Sequence, residues 1–225
     1  RTRARASWKG ADKANVPEVY KSLPQTEFVR ETFELPVQVA RVIEQDGKVE
    51  LVFDKSPFYA EAGGQVGDAG VLLTSTGEKV GEVLNTYKPA PGAHVQLVKL
   101  ADKVKEGDTL VARVESPARQ STMRNHTGTH LLHAALRTVL GKHVKQAGSV
   151  VDPTRLRFDF SHYTAMTPDE IAEVERLTNE QIMKNDAVNT EVMELEDALK
   201  TGAMALFGEK YGEKVRVVKV GDGSF

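Results

Sequence analysis

Arg124-Asn125-His126-Thr127-Gly128-Thr129-His130 leads without a break into Leu131-Leu132-His133-Ala134-Ala135-Leu136, and its reading decides the second half of the fold. Leu132, Ala135, Leu136 and Val139 recur at the period of an amphipathic helix, which makes them its buried stripe. Ser116-Pro117 is the start signal, with proline at the first helical position, and Gly141 is placed to end the helix. On such a helix His126 and His130 lie one turn apart on one face, where two neutral imidazoles can share one divalent metal. Zinc takes three or four protein ligands and the chain has no cysteine, so this is half of a metal site. The Glu that follows the first His in zinc-protease helices is absent. The spacing of His133, His143 and His162 commits them to no ligand role.

Upstream of Ser116 the pattern is β. Residues 1–27 are basic, polar and broken by Gly10, Pro17 and Pro24, which reads as a linker. From 28 to 115 short strands alternate with turns. Val49, Leu51 and Phe53 alternate after the hairpin signal Asp46-Gly47, and further strands surround Val71-Leu73, Val80-Val83, Val95-Leu97 and Leu110-Val114. Several short strands with regular turns predict a small barrel. Downstream, residues 116–225 read as helices on one face of a mixed or antiparallel sheet, an α/β two-layer core. Its strands are expected at 143–151, 155–160, 187–195 and the final 214–220. A helix to about Lys184 opens at the capping box Thr167-Pro168-Asp169-Glu170, and a short one spans about 196–206. The fold class is α+β.

Of the 225 residues, 28% are charged and 40% hydrophobic, an ordinary globular composition with no apolar run of membrane-spanning length. Without cysteines there are no disulfides, and a cytoplasmic address is the default expectation. The net charge of -2 hides a strong asymmetry. Residues 116–157 carry seven bases, Arg119 and Arg124 among them, against one acid, while 168–200 carry ten acids against three bases. The histidine helix therefore sits in a basic segment suited to a polyanion such as RNA. The chain starts at Arg1 and stops at Phe225 just after a strand-like run, so the expectation is a piece of a longer polypeptide, with further ligands beyond it.

Two other stretches carry candidate chemistry. In Ser56–Asp68 (SPFYAEAGGQVGD) the adjacent glycines Gly63 and Gly64 let backbone amides approach a ligand or form an anion-binding nest, although taken alone the stretch reads as a tight barrel loop. In Arg155–Phe160, alternation sets Arg155, Arg157 and Asp159 on one face and Leu156, Phe158 and Phe160 on the other.

Together, Ser56–Asp68, Arg124–Arg137 (RNHTGTHLLHAALR), Gln146–His162 (QAGSVVDPTRLRFDFSH) and Gly202–Asp222 (GAMALFGEKYGEKVRVVKVGD) resemble, in that order, the editing portion of the alanyl-tRNA synthetases. The likeness runs from about Thr26 to the end, with residues 1–27 as the exit from a helical tRNA-recognition region. It implies a barrel akin to that of translation factors at 28–115. It also implies an editing core at 116–225, related to threonyl-tRNA synthetase and to free-standing alanyl-tRNA deacylases. By the same likeness His126 and His130 match the first two ligands of a Zn2+ ion, whose other ligands follow the strand ending near Val220. Thr129 and Gln146 match catalytic-pocket residues, and Gly63, Gly64, Gln65 and Asp68 match a loop facing that pocket. Arg124, Lys142 and Arg157 are the candidate RNA-binding cations. The implied partners are tRNA(Ala) and its mischarged forms, with neither DNA nor membrane; the parent is an ATP-dependent ligase whose ATP-binding part lies upstream. The implied reaction is hydrolysis of Ser-tRNA(Ala) and Gly-tRNA(Ala), because a pocket built for a methyl group rejects glycine and serine poorly. The rival readings are a folded but inactive tRNA-contacting module and an unrelated metal hydrolase using His126 and His130.

Overall fold

A computed structural model describes residues 17–45, 47–201 and 213–221. They fall into two compact units, Arg1–Met123 with Val150–Arg155, and Arg124–Ser149 with Leu156–Phe225. The sequence reading set the boundary at 115/116, whereas the units divide within a helix, after Met123.

The first unit is built on a closed antiparallel barrel. A short helix α1 (Glu18–Lys21) precedes strand β1 (Glu27–Phe28), which pairs in parallel with β4 (Lys55–Ser56). The barrel itself uses β2 (Glu34–Gln45), β3 (Lys48–Phe53), β5 (Gly70–Leu73), β6 (Lys79–Ala90), β7 (Ala93–Leu100) and β8 (Thr109–Val114). Their order is β2-β3-β7-β6-β5-β8, with β8 closing on β2. The hairpin signal works as read: Gln45 pairs with Lys48 and Gly47 adopts φ 73°, while Asp46 lies outside the described residues.

Alternation in β2 sends Leu35, Val37 and Val39 inward, where they join Leu51, Phe53, Phe58, Leu72, Val83 and Ala112. Each such aliphatic or aromatic side chain contributes about 1.5–3 kcal/mol on full burial. Register shifts in β2, β5 and β6 supply the extra bend that six strands need to close. Glu50, buried in the same unit, accepts hydrogen bonds from Tyr87 and from Tyr20 of α1 (2.9 Å), which ties the helix to the barrel.

The second unit takes the C-terminal part of α2 (Ser116–Leu140), followed by β9 (Lys145–Val151), β10 (Leu156–Ser161), α3 (Pro168–Lys184), β11 (Val188–Glu194), α4 (Leu195–Lys200) and β12 (Lys214–Val220). Gly141, at φ 110°, turns the chain out of α2. The predicted stripe is the observed core: Ala135 and Leu136 are buried with Val144 and Val174, and Leu132 and Val139 pack against them. α3 opens on the predicted capping box, with Glu170 N donating to Thr167 Oγ1 and Thr167 N donating to the Glu170 carboxylate (2.7 Å). It closes on Asn185 in the left-handed region.

The architecture is α+β, but the second unit departs from the single sheet expected. Among the described residues its strands form two separate ladders, β9 with β10 and β11 antiparallel to β12. β11 explains the separation, because it lacks a buried face: Val188 and Val192 are 50% and 70% exposed. α4 ends at Lys200, so the remainder of the predicted short helix, with the rest of 202–212, lies outside the described residues, as does the linker reading of residues 1–16. No helix among the described residues is long and apolar enough to cross a membrane.

Candidate functional site

The helical spacing of α2 brings His126 and His130 together as read. Their rings stack with centroids 5.2 Å apart and planes 14° from parallel, and both residues are half-buried. Burial lowers the proton affinity of His130, which favours the neutral imidazole that ligates a metal. The donors therefore suit zinc in kind. In number they are half a tetrahedral set: among the described residues no group of three or more His, Asp or Glu side chains gathers to hold a metal.

The other histidines of this unit have separate employment. His133 is buried against Phe158 (4.9 Å between centroids) and bonds to the Val144 backbone; its pKa is lowered, mainly by burial. His143 and His162 pair with each other, Nε2 to Nδ1 at 2.9 Å.

Thr129 is buried, and its hydroxyl donates to the Asn125 carbonyl at 2.9 Å, the back-bond open to any helical threonine. That bond uses the proton and leaves oxygen lone pairs as acceptors. Gln146, on β9, donates from Nε2 to Ser149 Oγ (2.9 Å), so its amide oxygen is the end left to accept. Arg124, Lys142 and Arg157 are exposed, and Arg157 pairs with Asp159 at 3.1 Å on the face that alternation assigned to both.

In the first unit the glycine-rich loop is a braced turn. Gly63 and Gly64 have φ 58° and 83°, the consecutive left-handed residues of a tight hairpin, with Gln65 N donating to Ala62 O at 2.9 Å. The amides of Glu61, Ala62, Gln65, Val66 and Asp68 all bond within the unit, Val66 to the Val151 carbonyl. Gln65 is buried beside Val151. Gly67 is required by close approach, since a Cβ there would lie 1.9 Å from the Thr86 carbonyl oxygen.

Asp68, which the resemblance puts in a loop facing the pocket, and Arg119, one of the seven bases of residues 116–157, are both buried, 7% and 5% exposed, and form an ion pair. Asp68 also accepts from Tyr59 N (2.6 Å), and Arg119 donates to the Pro57 carbonyl. All three bonds to the carboxylate fall on Asp68 Oδ2, which holds the loop. A signal for Arg119 existed in the sequence. Arg119 and Thr122, both buried, continue N-terminally the three-and-four spacing of His126, Thr129 and His133, so the helix carries a polar stripe that begins before the histidines.

Comparison with known proteins fixes the parentage. The family model for tRNA synthetases class II (A) matches residues 4–118. The alanine--tRNA ligase of Solibacter usitatus is 52% identical over 233 residues, covering 98% of this chain and 26% of the relative. That of Nitrosomonas europaea is 47% identical over 100% of this chain and 27% of the relative. That of Fervidobacterium nodosum is 52% identical over 80% of this chain and 20% of the relative. The chain thus spans about a quarter or less of the length of these relatives. With most of its length similar to alanine--tRNA ligases and half of it matched by the family model, the chain belongs to the tRNA synthetases of class II (A).

Proposed function

We propose that this chain is the editing region of an alanine–tRNA ligase, hydrolysing Ser-tRNA(Ala) and Gly-tRNA(Ala) formed in error by an ATP-dependent parent. Its second unit is then a relative of the threonyl-tRNA synthetase editing core and of free-standing deacylases. One observation carries the reading: a chain 47% identical along its whole length to an alanine--tRNA ligase presents two stacked imidazoles, one with its proton affinity lowered by burial, beside a buried threonine.

Hydrolysis requires water to attack the ester carbonyl that joins the amino acid to the terminal ribose. His126 and His130 would hold a zinc ion, which when bound supplies Lewis acidity toward the ester or its attacking water. Thr129 reads the side chain. With its proton committed to Asn125, it offers an acceptor to the hydroxyl of serine, and alanine would leave that buried acceptor unpaired. Gln146 orients the water through its amide oxygen without taking a proton, since an amide is no base. Arg124, Lys142 and Arg157 contact phosphates, giving affinity that falls with salt.

The test is hydrolysis of Ser-tRNA(Ala) by the full-length enzyme carrying His130→Ala. Loss of about 100-fold or more in hydrolysis with alanylation retained is expected; unchanged hydrolysis overturns the assignment. A second reading, a tRNA-contacting module without turnover, is favoured by the two-imidazole set among the described residues. Assays of the present chain with and without added Zn2+ separate the two, because the module would retain tRNA on a filter and hydrolyse nothing under either condition.

A further inference from the structure

Gly141 ends α2 and sends the chain back so tightly that a Cβ there would meet His143 Nδ1 at 3.1 Å. β10 ends at Ser161, leaving His162 and Tyr163 in the segment before the Thr167 cap. The two turns bring three rings together. Tyr163 lies over His143 at 4.4 Å between centroids and 24° between planes, and His162 lies beside His143, edge to edge, with centroids 5.1 Å apart and planes 20° from parallel. The hydrogen bond between the two imidazoles holds in place the ring on which Tyr163 rests.

Tyr163 is nevertheless 82% exposed. The other described tyrosines, Tyr20, Tyr59 and Tyr87, use their hydroxyls on Glu50 or the Ala62 carbonyl; Tyr163 makes no such bond among the described residues. It is an aromatic ring held flat by its inner face and open to water on its outer one. Lys142, exposed and next to His143, makes no ion pair among the described residues. Glu170 faces His162 from α3, but its carboxylate is taken up by the Thr167 amide and hydroxyl.

We infer that His143, His162 and Tyr163 form a stacking platform for an unpaired base of RNA, with Lys142 placed for the adjoining phosphate. A base and a phenol ring both present flat π faces, and stacking on a fixed ring loses little conformational freedom. The inference leans on the proposed function only for the choice of RNA over other polyanions. Its readout involves no hydrolysis, so either reading can fail alone.

The full chain carries one tryptophan, Trp8. In a Trp8→Phe background, Tyr163→Trp places the sole indole on the platform. Saturable quenching of its fluorescence by a short unstructured RNA, absent with a blunt RNA duplex and with heparin, is expected. Binding of the same labelled RNA followed by anisotropy should weaken about ten-fold in Tyr163→Ala, the size of one base stack, and recover in Tyr163→Phe. Thermal melts of each variant show that the fold is kept, and the quenching of Tyr163→Trp carries the test if Ala does not fold. Equal quenching by heparin or duplex, or unchanged RNA binding by Tyr163→Ala, overturns the platform. So does concentration-dependent self-association that Tyr163→Ala abolishes while RNA leaves the indole unquenched, which would make this face a protein contact.

Discussion

Among the described residues, nine of the eleven buried polar side chains belong to the first unit, Glu50, Asp68, Gln96 and Arg119 among them, while Thr129 and His133 are the second unit's share. The first unit takes its charged groups inside and pairs them there, Asp68 with Arg119 and Glu50 with two tyrosines, while His94 Nδ1 and Gln96 Oε1 are buried without a hydrogen-bond partner among the described residues. Among the described residues the second unit has the smaller core, and His126, His130 and Gln146 are half-buried while Arg124, Lys142 and Arg157 are exposed. The difference teaches where rigidity comes from. Rigidity in the first unit comes from closing a sheet on itself and pairing its buried charges internally.

The largest effect that could break this comparison is a cavity in each core. Phe53→Ala in the fully buried barrel interior should lose about 4 kcal/mol in urea unfolding, against about 2–3 for Leu136→Ala in the second unit. Equal losses would mean the two cores are equally tight. Next, Arg119→Ala leaves Asp68 buried without its cation and should cost about 3 kcal/mol, much of it regained in a Asp68→Asn, Arg119→Ala double variant. A loss under 1 kcal/mol would make the loop clamp dispensable.

A smaller effect is pH-linked. Burial, aided by Lys88, pushes His94 down to about 4 from 6.5. Between these values the unfolded chain binds more protons than the folded one, so barrel stability falls as pH drops from about 6.5 to 4 and is level below. The loss is on the order of 2 kcal/mol and should flatten in His94→Gln melts; an unchanged slope would place the linkage elsewhere. The smallest effect lies on the second unit's surface. Thr167→Ala removes the capping box of α3 and should lower stability by about 1 kcal/mol without touching the barrel transition.

What was legible in the sequence followed from local chemistry. Gly47 in its hairpin, Gly141 at the helix end, Thr167 with Glu170 at the cap and the Leu132-to-Val139 stripe each act through neighbours within one turn of chain. The Asp68–Arg119 pair was not legible, because its partners are 51 residues apart and charge alone reads as surface. The Tyr163 stack was hidden for the same reason, joining two loops that share no periodic pattern. The split of the second unit's strands into two ladders depended on β11 having no buried face, which its mixed Val, Thr and Glu composition left undecided.

Closure of the barrel also sets a schedule for synthesis. β8 bonds both β2, from which it is separated by most of the unit, and β5. On the ribosome both of those strands keep an unpaired edge until Thr109–Val114 has emerged, so the nascent chain is most open to mispairing just before its barrel is complete. α2 starts two residues later, at Ser116. The strand that seals the barrel and the helix that carries the histidines therefore leave the ribosome almost together, so the frame can finish closing as that helix begins to form.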